Sequence, residues 1–560
     1  MSLPPLPARE PLHARLAGLL ERAFNPIMLK ELRANLRGSR FFITHLIILC
    51  VFAAGLILAF LSMLPSARNA YDETDDPSAV GRRVYQITQL LQLGVAFLVV
   101  PGLAATSISS ERESLTHELL LTTTMTARQI VWGKFTAAMT QAFTLFISMV
   151  PLVSLCFLFG GVTVYQILAN YTFLFALSAT MIAYALSMSA NARTTQRAVG
   201  SVYGLTLLGG IFMSIFLGSL WSAGVLDGLA VAYGFASTSD FNRAATLSLM
   251  NRVLYVHLVP GYLWAMLTSL FFINATNRLK PIFSNRSTPL RLYFICVLFA
   301  GGAIAALALH HSMPAAQQAE DRSYVLMTCS IVILTISLLG ALFGCEDPVL
   351  PPHLAAEVEG FRGRRRFLRL LWPGSGSGAA FTVSVMAVFL AGMFAALAPF
   401  TRDFDRGVWT GFPPASPLVA ALLAVFCWTL FTSTLARYLS ALMPGRPLLL
   451  RTLLILSCLF LALFPLIHWA VSEAIDRDPS DRMRTNGPVT LSLSPIMAVL
   501  SALDLNSGRR DFPRYAGAVP VAAGFLVFSL LSSGLLYALG TKARTKLQKQ
   551  LDEETGARIG

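Results

Sequence analysis

Residues 41–64 read FFITHLIILCVFAAGLILAFLSML, an apolar run without a single Asp, Glu, Lys or Arg. A hydrocarbon core of about 30 Å needs roughly 20 helical residues to cross it, so this run is long enough to span a bilayer. Inside the bilayer the backbone must satisfy its own hydrogen bonds, and a helix does so within one segment. Comparable stretches recur along the chain. With the first, the expected spans are 41–64, 85–108, 135–159, 164–189, 199–222 and 253–274. A second set follows at 290–311, 324–344, 379–400, 417–440, 449–470 and 517–539. The fold class is therefore an all-α polytopic membrane protein of about twelve transmembrane helices.

Composition agrees. Of 560 residues, 55% are hydrophobic and only 13% charged, a balance that a set of soluble domains does not show. The net charge of +14 does not point to nucleic acid, because the basic residues fall in short runs beside apolar segments. Arg362, Arg364, Arg365, Arg366 and Arg369 are the densest such run, and Lys and Arg collect on the cytoplasmic side of membrane proteins. Seven cysteines without a CxxC pair read as small core residues, not as a disulfide framework or a metal site. The charged segment before Phe41 and the length of the run after it do not fit a secretory signal.

Loop charge gives the orientation. Arg9, Arg15, Arg22, Lys30, Arg33, Arg37 and Arg40 precede the first span, and Lys542, Arg544, Lys546 and Lys549 follow the last. Basic loops at Arg193/Arg197, Arg278/Lys280/Arg286 and 362–369 alternate with acidic or balanced ones such as Asp72, Glu73, Asp75 and Asp76. Both termini are expected on the cytoplasmic side. The division that follows is a cytoplasmic tail and interfacial helix at 1–40, a first six-span domain at 41–275, a second, divergent one at 276–540, and a cytoplasmic tail at 541–560. The loop order repeats between the two sets. Leu186, Ser187 and Arg193 recur as Leu439, Ser440 and Arg446 at one offset, 439 − 186 = 446 − 193 = 253. Six spans per unit leave the two bundles in the same orientation, a parallel repeat.

Three features carry chemistry. Over 22–40, Phe24, Met28, Leu32 and Leu36 recur every fourth residue while Lys30, Arg33 and Arg37 take another face. Such a helix lies in the interface with its cations toward anionic headgroups. The inside segment 110–134 places Glu111 and Glu118 two turns apart, on one face of a short acidic helix with Leu115 and Leu119 beside it. Gln86, Gln89 and Gln92 repeat every third residue along the second span. They can line a substrate route or join neighbouring helices by hydrogen bonds, and the spacing leaves both open.

Other sites are discounted. The 72–76 acids read as a solvated outside loop, His310-His311 as a bare pair at a span end, and Asp403 and Asp405 as a balanced turn between Arg402 and Arg406. No catalytic residue and no metal site is assigned. No G-x-x-x-x-G-K-[ST] occurs, so the chain has no phosphate-cradling loop of its own. The interiors of the expected spans hold no Asp or Glu, which an ion-coupled carrier generally needs at membrane depth.

The run Asn25-Pro26-Ile27-Met28-Leu29-Lys30-Glu31-Leu32-Arg33, followed by a span, resembles the helix that leads into the first span of type-2 ATP-binding-cassette (ABC) export permeases. Glu111, Glu113, Thr116, Glu118, Leu119, Leu120, Ile130, Gly133 and Lys134 are similar to that family's segment between spans two and three. There the pattern is Glu-x-Glu-x-Gly-Thr-x-Glu-Leu-Leu, a Thr-Pro break, then Ile and Gly-Lys. Leu115 stands where the family has Gly and Thr124 where Pro is common. The resemblance implies that Glu111, Glu113, Thr116, Glu118, Leu119, Gly133 and Lys134 form the coupling helix. It implies that Asn25, Pro26, Lys30, Glu31 and Arg33 belong to the interfacial helix. The implied activity is that of the permease of an ATP-driven exporter in the inner (plasma) membrane, not an enzyme. ATP and Mg would sit on separate cytoplasmic ABC ATPase subunits, with membrane lipids and an unnamed substrate as the other partners. The loop from Cys345 to Trp372 in the second half has Glu346, Asp347, Glu357 and Glu359 but not the pattern. A degenerate second half would make the transporter a homodimer. The rivals are a twelve-span secondary transporter and a membrane-embedded lipid-linked transferase, each of which needs buried or clustered acids.

Overall fold

The computed structural model describes residues 26–37, 39–68, 77–115, 125–154, 156, 160, 162, 164–207, 258–281, 284–312, 333–334, 336–348, 350, 352–360, 363–401, 417–446, 449–461, 493–496, 498 and 518–559. Among these no strand occurs, and eight helices are long and apolar enough to cross a membrane. They are Phe41–Leu58, Val84–Glu113, Ala127–Ser154, Gln166–Asn191, Ser287–Ile304, Ser375–Ala396, Val419–Leu442 and Ala523–Gln550. The expected spans at 199–222, 324–344 and 449–470 lie partly outside the described residues. The chain divides into two compact units, Met1–Ile282 and Phe283–Gly560, each with its own apolar core.

In the first unit the helices are α1 Pro26–Leu36, α2 Ser39–Arg68, α3 Pro77–Leu98, α4 Val100–Ala105, α5 Ser109–Glu113, α6 Ala127–Ser154, α7 Val164–Asn191 and α8 Val259–Leu279. A further helix is entered at 195 and described to 207. Burial ranks them: 61% of the α7 span is buried against 6% for α2, so α7 is the central post and α2 an outer helix. Leu46, Ile47, Val51 and Leu58 of α2 stay exposed, as a lipid-facing helix requires.

Local sequence explains the element ends. Pro26 opens α1, where its missing N–H is one of the unpaired donors of a first turn. α3 stops at Leu98 because Pro101 cannot donate to the carbonyl four residues back, and the chain restarts as α4. Tyr203 Oη donates to the Leu98 carbonyl at 2.8 Å beside this break. Gly102 allows that approach, since a Cβ there would lie 2.7 Å from Tyr203 Oη. α6 starts at Ala127, ahead of the expected 135, because Thr126 and Gln129 form a capping box. The Thr126 N–H donates to Gln129 Oε1 at 2.9 Å and the Gln129 N–H to Thr126 Oγ1 at 3.3 Å.

The second unit contains α9 Ser287–Ser312, α10 Pro352–Gly360, α11 Ser375–Thr401, α12 Pro417–Leu442 and α13 Ala518–Ile559. Shorter apolar helices run Ile336–Cys345 and Leu449–Leu461, and a 3-10 segment Gly363–Leu371 follows α10. α12 is the central post here, 56% buried against 22% for the spans of α9 and α13. It packs on both α11 and α13. Its buried hydroxyls are satisfied along the helix, Thr429 to the Val425 carbonyl at 2.8 Å and Thr432 to that of Trp428 at 3.0 Å. α13 continues without a break through the segment expected as a tail, 42 residues in all.

Candidate functional site

Lys134 is the centre of the site. It lies two turns into α6 and is only 3% exposed. A buried ammonium is costly unless every proton finds an acceptor. Its three donors meet Glu31 Oε1 at 2.9 Å, Glu111 Oε1 at 2.8 Å and the Ser107 carbonyl at 2.9 Å. Glu31 comes from α1, which packs on α6 and is anchored by Ile27, buried one turn earlier. Glu111 comes from α5. One cation therefore joins the interfacial helix, the segment after the second span and the start of the third.

α5 is held from its other side by the last turn of α7 and the start of the next helix. The backbone N–H groups of Ile108 and Ser109 donate to Ser189 Oγ at 3.1 and 3.0 Å. Arg112 donates to the carbonyls of Ala190 at 3.2 Å and Ala192 at 2.9 Å, closing the C-terminal end of α7. Glu113 Oε1 accepts the Thr195 N–H at 2.8 Å, and its other oxygen meets the Thr195 hydroxyl. A cation at the C-terminus of one helix and an anion at the N-terminus of the next are the pairing that helix dipoles favour. Glu–Arg–Glu at 111–113 thus reaches three partners within a single turn of chain.

The acidic face expected from Glu111 to Glu118 is not formed as one helix. α5 ends at Glu113, with Ser114 Oγ donating back to the Ser110 carbonyl at 2.9 Å. Leu115 follows in the left-handed region at φ 58°, where a glycine is normally needed, so the helix cannot run on through it. Thr116, Glu118, Leu119 and Leu120 lie outside the described residues, and so does Asn25. Pro26, Lys30, Glu31 and Arg33 all lie on α1, with Lys30 and Arg33 exposed. Gly133 is buried beside Lys134.

The glutamines form a separate cluster. Gln89 and Gln92 of α3 are buried, and Gln86 is half-buried. Gln92 Nε2 donates to Tyr171 Oη at 3.1 Å, and Asn170 Nδ2 donates to Gln92 Oε1 at 2.8 Å. Both partners belong to α7, so Gln92 joins the second and fourth long helices of its unit. The acids at 72–76 and 403–405 lie outside the described residues. Among the described residues no three His, Cys, Asp or Glu converge as a metal site would require.

Spacing alone does not reveal that Glu31, Glu111 and Lys134 meet, since 103 and 23 residues separate the acids from the lysine. Arg112, Ser189 and Thr195 are not among the residues that the sequence singles out. The signal available for Arg112 is its place between two acids at the end of a span.

Comparison with known proteins now bears on these residues. The family model described as an ABC-2 family transporter protein matches residues 25–259, which contain α1, the Lys134 site and α7. No curated protein and no solved structure matches the chain. The chain is a multi-pass membrane protein, and the match over residues 25–259 supports an ABC-2 type permease.

Proposed function

We propose that this chain is the membrane-spanning permease of an ATP-driven exporter, energised by a separate ABC ATPase subunit that binds ATP and Mg. Twelve spans in two tandem bundles, with both termini cytoplasmic and the inner membrane as location, complete the reading. The observation that carries it is the Lys134 tie. A push on the segment 110–134 reaches α1 through Glu31 and α6 through Lys134 by way of direct ion pairs. Glu113 and Arg112 carry the same displacement to the ends of α7 and its successor. Closure of the ATPase subunits on ATP would bias the bundle between two arrangements that open to opposite sides, by differential contact with each. The described spans hold acids only at an end, Glu111 and Glu113, which supports energy arriving from outside the bilayer.

Purification in mild detergent from the native host tests this. An ATPase is expected to co-purify with the chain and to be lost on Glu118→Arg. A chain that purifies alone and still transports in vesicles would overturn the reading.

A further inference from the structure

Glu31, Glu111 and Glu113 are the acids among the described residues of the first unit, and each already has a partner. Glu31 and Glu111 meet Lys134, and Glu113 accepts the Thr195 N–H. The second unit settles its acids in the same way. Arg291 of α9 is 0% exposed, and its Nη2 donates to Glu346 Oε2 at 2.7 Å. Its Nη1 donates to the carbonyls of Leu370 at 2.6 Å and Trp372 at 2.5 Å, just before α11. The excursion 346–372 therefore closes on one guanidinium, as 111–134 closes on Lys134. Asp347 Oδ1 accepts the Gly445 N–H at 3.0 Å after α12, the counterpart of Glu113 after α7. In each unit a first acid sits on a buried cation and a second on the turn that follows the central post.

Arg33 and Arg37 are left over from this pairing. Both are exposed, and among the described residues neither forms an ion pair. A cleft of about 510 Å³ opens along α1, lined by Leu29, Leu32, Arg33 and Arg37. That volume falls among ligand pockets, which run from about 300 to about 1,000 Å³. Leu29, Leu32 and Arg33 are spaced i, i+3 and i+4, so they share a face, and Arg37 follows Arg33 by one turn. The other side of α1 is fixed to the protein by buried Ile27 and by Glu31 on Lys134. The level is set as well. Arg37 stands four residues before Phe41, where the apolar span of α2 begins, and α2 is a lipid-facing outer helix. Two guanidinium forks beside two leucines, at the edge of the hydrocarbon layer, match a phosphodiester joined to an acyl chain.

We infer that this cleft is a discrete site for one anionic phospholipid, its phosphate held by Arg33 and Arg37 and its chain laid along Leu29 and Leu32. This goes beyond the diffuse attraction of any basic amphipathic helix for a membrane surface, because it names one lipid per chain and the two cations that select it. The bound lipid braces α1, the helix whose Glu31 joins the Lys134 tie.

Native mass spectrometry of the full chain in detergent, titrated with equal amounts of phosphatidylglycerol and phosphatidylcholine, tests this. One phosphatidylglycerol per chain is expected, held about thirtyfold in preference to phosphatidylcholine, as two cations at headgroup level imply. Arg33→Gln or Arg37→Gln alone should lower the preference to about fivefold, and the two together should abolish it. Lys546→Gln with Lys549→Gln, which removes two exposed cations of α13, should leave it unchanged. In the wild-type chain, which carries no risk of misfolding by substitution, phosphatidylglycerol should raise the melting temperature more than phosphatidylcholine does. Several bound lipids without saturation at one, with the α13 pair as damaging as the α1 pair, would reduce the effect to surface attraction and overturn the site. Equal retention of the two lipids, or protection by inorganic phosphate with none from phosphatidylglycerol, would overturn it too.

Discussion

Lys134 and Arg291 each solve the same physical problem, a cation taken out of solvent, and each is tied to at least one acid from a distant part of its unit. Removing the ammonium leaves Glu31 and Glu111 facing one another across the vacated position. Lys134→Met is expected to cost about 3 kcal/mol, read as a fall in detergent melting temperature. Adding Glu111→Gln should recover part of that loss, because it removes one of the two stranded charges. Glu346 gives a pH signature. Burial pushes its carboxyl above the ordinary carboxylate range, and Arg291 draws it back part of the way. The folded chain then holds that proton more tightly than the unfolded chain. Stability from this group is full below the ordinary range and falls as pH rises toward the raised value. Melts taken upward in pH from about 4, the ordinary carboxylate range, should show the decline, and Glu346→Gln should flatten it. Neither cation is legible in the sequence as a hub. A lone Lys or Arg near a span end reads as a snorkelling side chain, and only tertiary packing decides that it is buried instead.

At the scale of elements, what can be read from the sequence is governed by local chemistry. The apolar runs of α2, α7, α11 and α12 lie where hydropathy places them, because a spanning helix is defined by its own composition. Capping is written locally too, beyond the reach of hydropathy: Thr126 and Gln129 set the start of α6 by contacts three residues apart. Pro101 likewise divides the second span. The acidic helix through 118 fails for a reason that helical spacing ignores, the left-handed backbone at Leu115. Leu115 is 75% exposed, so replacing it forfeits little burial. Leu115→Gly is expected to stabilise the end of α5 by about 1 kcal/mol, measured as a rise in melting temperature. Gly378 of α11 makes the opposite case. A Cβ there would lie 2.1 Å from the Phe343 carbonyl oxygen and 2.5 Å from its carbon. Backbone cannot yield as a side chain can, so Gly378→Ala should displace α11 from the 3-10 turn Leu342–Cys345. Loss of the monodisperse peak in fluorescence-detected size exclusion would register it.

On the scale of the whole molecule, two units with separate cores carry two versions of one arrangement, and the family model matches within the first. Sequence comparison follows residue identity, whereas the shared feature is a set of roles: a buried cation, an acid on it, and a second acid on a turn. Moving the cation from the third long helix to the first erases the motif without losing the closure. Topology offers a direct check on the assignment of sides. Single cysteines at 356 and 549, in a background lacking the native ones, should resist a membrane-impermeant maleimide in right-side-out vesicles and react once the membrane is permeabilised. Labelling of either in sealed vesicles would invert the expected orientation.

α13 has a mechanical consequence. At 1.5 Å per residue its 42 residues make a rod of about 63 Å, roughly twice the thickness of the hydrocarbon layer. Arg544 Nη1 lies 3.1 Å from where a Cβ on Gly376 would sit, so the rod leaves the bundle at the level where α11 begins. Beyond it the turns 545–559 act as a pointer. A tilt of about 10° in the bundle would sweep their far end through about 4 Å over about 22 Å of helix, so a spin label on the last turns would register small rearrangements as measurable distances.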